Sequence, residues 1–211
     1  MNIPLDIHTH RQGSGIQNCY PEDFIPNAEG WYSVGIHPWK ISKYHGQLPW
    51  EQLHTCAVAS NVLAIGETGL DKLCGVPMPL QIEVFSKHIL LAESVNKPLV
   101  IHLVKSIDEL LQLRRQLKPR CPWVVHGFRG KPAQVQQLVS HGLYLSYGEF
   151  ANPQSVALTP LGKMFVETDE SSLPIDSVLR QVAVYKGMSP VDLKAQLEEN
   201  VRQVFGLSLA T

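Results

Sequence analysis

The chain lacks the segments that mark membrane proteins, secreted proteins and small domains stabilised by zinc or disulfides. None of its 211 residues lies in an apolar run near the roughly 18 residues needed to cross a bilayer, and the first residues show no basic stretch followed by an apolar core. Its four cysteines form no CxxC pair, which argues against a zinc ribbon, a redox motif or a disulfide framework. We therefore expect a cytoplasmic protein with reduced cysteines and no membrane partner.

An excess of either charge is also missing. The chain has 18 Lys and Arg against 19 Asp and Glu, for a net charge of -1. That balance does not supply the basic surface of a protein that grips long duplex nucleic acid, although a small or end-bound nucleic acid stays possible as a substrate. A composition of 44% hydrophobic and 18% charged residues is that of an ordinary globular protein. The length predicts one domain over residues 1–211.

Short apolar runs alternate with helical stretches along the chain. Helical spacing marks 78–95, a capping box from Ser106 to Glu109 begins the next helix, and the last helix begins after Ser189 and ends at Gly206. The apolar runs are nearly continuous, as in strands buried on both faces of a parallel sheet. They are 3–8, 30–37, 61–67, 98–104, 122–128, 143–148 and 163–169.

This alternation of strands and helices is compatible with two architectures. Right-handed crossovers between parallel strands build either an open doubly wound sheet or a (β/α) barrel. No glycine-rich phosphate loop follows the first predicted strand, which weakens the case for a nucleotide-binding open sheet. Only seven strands are clear, so a barrel would have an eighth strand that is irregular or missing.

Metal-capable side chains lie at the carboxyl ends of the predicted strands. In parallel α/β folds these ends form the floor of the active site. Imidazole and carboxylate groups together suit zinc, manganese, iron or magnesium, and a bridging carboxylate can hold two ions about 3.5 to 4 Å apart. A two-metal site is therefore plausible. The candidates are His8, His10, His37, Glu67, His102, His126 and Asp169.

Six motifs together resemble those of one family. "DIHTH", "VGIHP", "AIGETGLD", "PLVIH", "VVHGFRG" and "VETD" occur in the order found in TatD-like metal-dependent hydrolases, and the resemblance extends over nearly the whole chain. It implies an α/β fold of the TIM-like (β/α) barrel type, distorted if only seven strands form. It also implies a two-metal site that hydrolyses phosphodiester bonds, typically as a deoxyribonuclease that works from DNA ends.

The resemblance also implies roles for individual residues. His8 and His10 would bind the first divalent ion together with Asp169. His102 and His126 would bind the second ion, and Glu67 would bridge the two, with zinc, magnesium or manganese as the candidate metals. Glu67 and Asp169 are the predicted catalytic residues, and Asp169 would orient the attacking water and accept its proton.

Three further residues are candidates for substrate contacts. His37 matches a family histidine that lines the pocket. Arg129 and Lys105 follow presumed ligands, where they either clamp phosphate oxygens or lie solvated at loop edges. The family usually has a small residue where Arg129 stands and an arginine close to position 105. The segment after Asp169 is also shorter than in the family, which implies a more open pocket.

Two carboxylates and one indole have competing interpretations. We expect Asp6, which period-2 spacing places on one face with His8, to support a histidine behind the metals. Asp71 is either an Asx-type turn residue or a residue that orients the site. Trp39 either stacks on a base or packs against its loop, and packing is favoured.

Three functions are compatible with these residues. The leading one is a metal-dependent phosphodiesterase or deoxyribonuclease. The second is hydrolysis of another ester, an amide or a phosphomonoester, because the same activated water serves all of them. The third is binding of metal or nucleic acid without turnover.

Overall fold

The computed structural model describes residues 3–207, and its centre is a single parallel sheet. Seven strands lie in chain order, so that each pairs with the next one along the sequence. A connecting helix follows most of the strands, which is the (β/α) repeat that the sequence predicts. The strands are Ile16–Cys19 (β1), Trp31–Val34 (β2), Val62–Asp71 (β3), Leu99–Val104 (β4), Trp123–Val125 (β5), Tyr144–Tyr147 (β6) and Met164–Val166 (β7).

An irregular segment, Asp6–His10, closes the sheet into a barrel, and we call it the closing segment. The Ile7 amide donates to the Val166 carbonyl of β7 at 3.2 Å, and the Thr9 amide donates to the Ile16 carbonyl of β1 at 3.2 Å. The segment makes only isolated bridges to its neighbours. A distorted TIM-like barrel with seven clear strands is therefore confirmed, but the regular strand expected over 3–8 is this irregular segment.

β1 is a strand that the sequence did not reveal. Its four residues alternate between buried and half-buried positions instead of forming an apolar run. The connection that precedes it, residues 11–15, is too short for a helix, and the connection to β2 contains only a 3-10 turn at Pro21–Asp23. Among the described residues, no α-helix lies between the closing segment and β2.

Seven helices surround the rest of the barrel. The last one begins where Ser189 Oγ accepts a hydrogen bond from the Asp192 amide at 3.1 Å, and it ends at Gly206, as predicted. The capping box at Ser106 is wrong, because that hydroxyl donates to the Val104 carbonyl instead. The helices are Trp50–Ala57 (α1), Met78–Val95 (α2), Ile107–Leu117 (α3), Pro132–Ser140 (α4), Pro153–Leu158 (α5), Ile175–Lys186 (α6) and Pro190–Phe205 (α7). Within 3–207, none of them is long and apolar enough to cross a membrane.

Apolar side chains inside the barrel support its polar end. Val124 lies on β5, two residues before His126, which directly follows that strand. Phe165 meets Phe205 of α7, with ring centroids 5.6 Å apart, and α7 thereby packs against this inner core. The buried members of the inner cluster are Ile7, Ile16, Leu63, Ala64, Val100, Val124, Phe165, Val201, Val204 and Phe205.

Candidate metal centre

The carboxyl ends of the strands and the closing segment bring the seven predicted metal-capable residues together. Each of these residues lies within ion-pair distance of Glu67 or of a histidine that is itself within ion-pair distance of Glu67. We call this set the histidine-carboxylate cluster. Its members are His8, His10, His37, Glu67, His102, His126 and Asp169.

Glu67 lies at the centre because β3 is irregular at this point. The register between β3 and β4 shifts between Ile65 and Thr68, and such bulges redirect a side chain. Two residues later, Gly69 has φ +148°, and a Cβ there would collide with the His102 carbonyl of β4. The glycine thus allows the two strands to approach closely where their ends supply site residues.

One oxygen of Glu67 faces three imidazoles. Oε1 lies 2.8 Å from His126 Nε2, 3.0 Å from His37 Nε2 and 3.1 Å from His102 Nδ1. Glu67 is 5% exposed, so these contacts are shielded from solvent. This side of the carboxylate corresponds to the second metal position that the family resemblance implies.

The other oxygen faces the closing segment. Oε2 lies 3.5 Å from His8 Nε2 and 3.8 Å from His10 Nε2. Asp169 Oδ1 lies 3.7 Å and 3.5 Å from the same two nitrogens. Glu67 thus separates two groups of donors, as a carboxylate that bridges two ions would.

The donor atoms fit divalent metal ions. In each of three groups of residues, the potential ligand atoms lie within 4.8 Å of one another. The groups are His8, His126 and Asp169; His8, His10 and Glu67; and His37, Glu67 and His102. Neither ring nitrogen of the fully buried His8 has a hydrogen-bond partner within the described part of the chain. A buried imidazole without partners is costly unless a bound ion satisfies it.

A carboxylate behind His102 fixes the orientation of its ring. Asp71 Oδ2 lies 3.0 Å from His102 Nε2 and accepts a hydrogen bond from Trp39 Nε1 at 2.6 Å. Because Asp71 engages Nε2, Nδ1 is the ring nitrogen of His102 that faces the cluster. Asp71 Oδ1 also accepts from the Leu73 amide at 2.7 Å, so both expected roles of Asp71, turn and orientation, occur together.

Glu167 does the same for His126, and the sequence reading missed it. Its Oε1 lies 3.3 Å from His126 Nδ1 and accepts from the Gly127 amide at 2.6 Å. Glu167 is fully buried. The signal was present in "VETD", where a carboxylate stands directly after the buried strand β7.

Asn18 is a second missed residue, on the strand that was not predicted. Its Oδ1 accepts from the Glu67 amide at 2.9 Å, and its Nδ2 donates to Glu67 Oε2 at 3.4 Å. The side-chain amide therefore holds both the backbone and the carboxylate of Glu67. The short polar strand "IQNC" gave no sign of this contact.

Asp6 contacts a threonine instead of a histidine. Its two oxygens accept hydrogen bonds from the Thr168 amide at 2.9 Å and the Thr168 hydroxyl at 2.7 Å. Burial raises the pKa of Asp6 to about 6. Asp6 thus fastens the closing segment to the residue before Asp169, and its support of the cluster passes through Thr168.

His37 carries a proton on the nitrogen that faces Glu67. Its Nδ1 accepts a hydrogen bond from the Trp39 amide at 3.1 Å, which leaves Nε2 as the protonated nitrogen of a neutral ring. The preceding residue is held by His88 of α2, whose Nε2 accepts from the Ile36 amide at 3.0 Å. This geometry favours a hydrogen-bond donor over a metal ligand at His37, and its contact with substrate stays a prediction.

Opposite charges stabilise the ionised forms of the central residues. Burial opposes ionisation of Glu67, but the charge of His126 and hydrogen bonds from the surrounding imidazoles hold its pKa well below the usual value. Burial lowers the pKa of His126, but Glu67 and Glu167 outweigh it and hold that pKa well above the usual value. Without a metal, the two carboxylates therefore favour the protonated form of His126.

Comparison with known families identifies this arrangement. A family model described as TatD related DNase matches residues 25–206. The chain belongs to this family.

Sequence relatives carry names that agree with a metal-dependent hydrolase. An "Uncharacterized metal-dependent hydrolase" of Buchnera aphidicola is 29% identical over an alignment of 231 positions, which covers 98% of this chain and 84% of the relative. A protein of Klebsiella pneumoniae named "3'-5' ssDNA/RNA exonuclease TatD" is 26% identical, with 99% and 85% covered. As a TatD-family protein, this chain is a metal-dependent hydrolase by family.

Solved structures share the fold. YJJV, a TatD homologue of Escherichia coli, superposes with a TM-score of 0.78 at 22% identity, covering 93% of this chain and 88% of that one. An uncharacterized amidohydrolase from Saccharomyces cerevisiae gives a TM-score of 0.66 at 13% identity, covering 83% and 80%. The barrel is thus common to TatD proteins and an amidohydrolase.

The two cations predicted to contact substrate lie at the edge of this TatD-family site. Lys105 is exposed, with φ 53°, just after β4. Arg129 is also exposed, and its guanidinium lies 4.9 Å from the ring centroid of Phe150. Among the contacts of residues 3–207, neither cation touches Glu67 or Asp169. Their roles toward a phosphate stay predictions.

Proposed function

We propose that this chain is a two-metal phosphodiesterase that removes nucleotides from the ends of single-stranded nucleic acid. The observation that carries the proposal is the position of Glu67, whose two oxygens face two separate groups of imidazoles. A relative at 26% identity has the name of a 3'-5' ssDNA/RNA exonuclease, which supports the substrate class.

The ligands divide into two groups around Glu67. His8, His10 and Asp169 would hold one divalent ion, and His102 and His126 would hold the other, with Glu67 shared. Two bound divalent ions supply an acidified water and positive charge for the attacking and leaving oxygens of a phosphodiester. The mixed imidazole and carboxylate set suits zinc or manganese, and magnesium is a further candidate.

Asp169 is suited to the proton transfer. Its side chain is 27% exposed, in contrast to the buried Glu67, and its Oδ1 lies near His8 and His10. It also has φ 54°, held by hydrogen bonds of its backbone to the closing segment. A carboxylate fixed at the open side of the site can orient a water and accept its proton.

His37 and the outer edge of the site supply substrate contacts. His37 Nε2 faces Glu67 Oε1 at 3.0 Å, and we propose that it shares its proton with a phosphate oxygen that approaches the cluster. The near-zero net charge favours a short single strand or a strand end over a long duplex. All four cysteines are free thiols, which is typical of the reducing cytoplasm, and a cytoplasmic location is part of the proposal.

The test is hydrolysis of end-labelled single-stranded DNA and RNA in the presence of zinc, manganese or magnesium. Mononucleotides should appear with the wild type and vanish with chelator and in Glu67→Gln. Asp169→Asn should lose at least a hundredfold in kcat while it still binds metal, because several other ligands remain. Glu83→Gln, a change at an exposed position of helix α2, is the matched control.

Activity restricted to a panel of amides, carboxylic esters or phosphomonoesters would refute the proposed substrate class. Metal binding without turnover on any substrate would refute the enzyme and favour a binding protein. Equal loss of metal and activity in Asp169→Asn would assign that residue to metal binding alone.

A further inference from the structure

A cavity of about 300 Å³ adjoins the histidine-carboxylate cluster at the ends of β6 and β7. Asp169 and Glu167 line it on the side of the cluster, and Phe150 and Arg129 line it on the outer side. Its volume is at the lower end of small-molecule pockets. It therefore has room for part of one nucleotide that is attached to a phosphate at the cluster.

Phe150 is an exposed aromatic ring at this cavity. Its side chain is 62% exposed, and the guanidinium of Arg129 lies 4.9 Å from its ring centroid. When a flat partner covers a large apolar ring, apolar surface is removed from water and the free energy falls. A guanidinium that already lies over one part of the ring adds a cationic plane on which bases also stack.

The charges in the cavity favour a base over a phosphate. Glu149 and Glu170 line it together with Glu167 and Asp169, whereas Arg129 is the one cation among its lining residues. Such a surface repels a phosphate that is not at the metal ions. Carboxylates do, however, accept hydrogen bonds from the amino groups of unpaired bases.

We propose that Phe150 and Arg129 form a stacking platform for one unpaired nucleobase next to the cleaved bond. The proposal rests on the proposed function, because it assigns the single-stranded substrate a contact at the same site. It also gives Arg129 a role in stacking instead of the phosphate clamp suggested by its sequence position.

The first test compares oligothymidylate with two versions that carry an abasic residue on one or the other side of the cleaved bond. In the wild type, the version that lacks the stacked base should be cleaved with a lower kcat/KM than oligothymidylate, and the ratio of the two values measures the preference for a base. Phe150→Leu, which keeps an apolar side chain and loses the ring, should reduce this preference for a base by about 5- to 100-fold. Phe150→Tyr should retain it.

Leu90→Ala is the matched control, because Leu90 is an exposed apolar residue on α2, 63% accessible, away from the strand ends. Its preference for a base should equal that of the wild type. A preference in Phe150→Leu within twofold of the wild type would overturn the platform. So would an equal loss in the Leu and Tyr variants, since both would then act through the fold.

A second test reads stacking without cleavage. A single-stranded oligonucleotide with terminal methylphosphonate linkages and 2-aminopurine at its end is added to the metal-loaded protein. Stacking should quench the fluorescence with the wild type and Phe150→Tyr but not with Phe150→Leu. Quenching without hydrolysis of ordinary DNA or RNA would refute the proposed function and retain the platform. Hydrolysis with no difference in quenching among the variants would refute the platform alone.

Discussion

Glu167 offers a direct test of how the protein tunes the second metal position that we propose. The buried carboxylate contacts His126 Nδ1 at 3.3 Å, while His126 Nε2 lies 2.8 Å from Glu67. Glu167→Gln removes one charge but keeps an oxygen that can accept from His126 and from the Gly127 amide. Carboxylates behind metal-binding histidines typically contribute 10- to 100-fold in affinity.

Because the contact between Glu167 and His126 is long, we expect the loss of metal affinity in Glu167→Gln to lie at about tenfold, the lower end of that range. Because 3.3 Å is a weak hydrogen bond and the glutamine oxygen can retain it, we expect metal affinity at the second position to fall about tenfold, or about 1.4 kcal/mol. Glu167→Ala, which also leaves the Gly127 amide without its partner, should lose about a hundredfold. Competition with a chelating dye measures both values.

Glu170→Gln is the matched control, because it removes one carboxylate from the same edge of the barrel at an exposed position. Affinity within twofold of the wild type in Glu167→Gln would refute the reasoning. An equal loss in Glu170→Gln would show that general field effects, not the contact with His126, determine the affinity.

Three further results are expected. Metal binding at pH 7 should release about one proton, because Glu67 and Glu167 outweigh burial and keep the pKa of His126 above its usual value; calorimetry in buffers of different ionisation enthalpy counts it. Burial raises the pKa of Asp6 from 3.8 to about 6, so the free energy of unfolding of the metal-free wild type should fall by about 3 kcal/mol as the pH rises through that window. Asp6→Asn should not show this loss, and urea unfolding at pH 4 and 7 measures the difference. Trp39→Phe, which loses the 2.6 Å bond to Asp71, should weaken metal binding about fivefold by the same dye competition, and an unchanged value would exclude this role.

The sequence predicts the repeat of strands and helices because its buried strands and amphipathic helices have distinct periods, and the choice of a barrel over an open sheet came from the resemblance to TatD-like hydrolases. Helices α2 and α7 occur where spacing and caps place them. The site follows from the same pattern, since parallel strands deliver their ends to one edge and six of the seven predicted strands carry a histidine or carboxylate at or near that end. Local sequence therefore predicts which residues meet at the cluster.

The missed contacts have long-range causes. Asn18 lies on a four-residue strand that neighbouring strands stabilise, and its polar alternation resembles a loop. The Thr168 partner of Asp6 is 162 residues away in the chain, so only closure of the barrel brings the two together. Glu167 resembles a residue of a buried strand in the sequence, because its partner His126 lies 41 residues away in the chain.

The closing segment has a thermodynamic consequence for the whole molecule. It contributes His8 and His10 to the cluster, and it also completes the ring between β1 and β7. A ligand that binds only the closed ring stabilises it by RT ln(1 + [L]/Kd), about 2.7 kcal/mol at a hundredfold excess over Kd. Folding of the N-terminal part and metal loading are therefore linked equilibria, and depletion of metal lowers the population of closed barrel even where no side chain has changed.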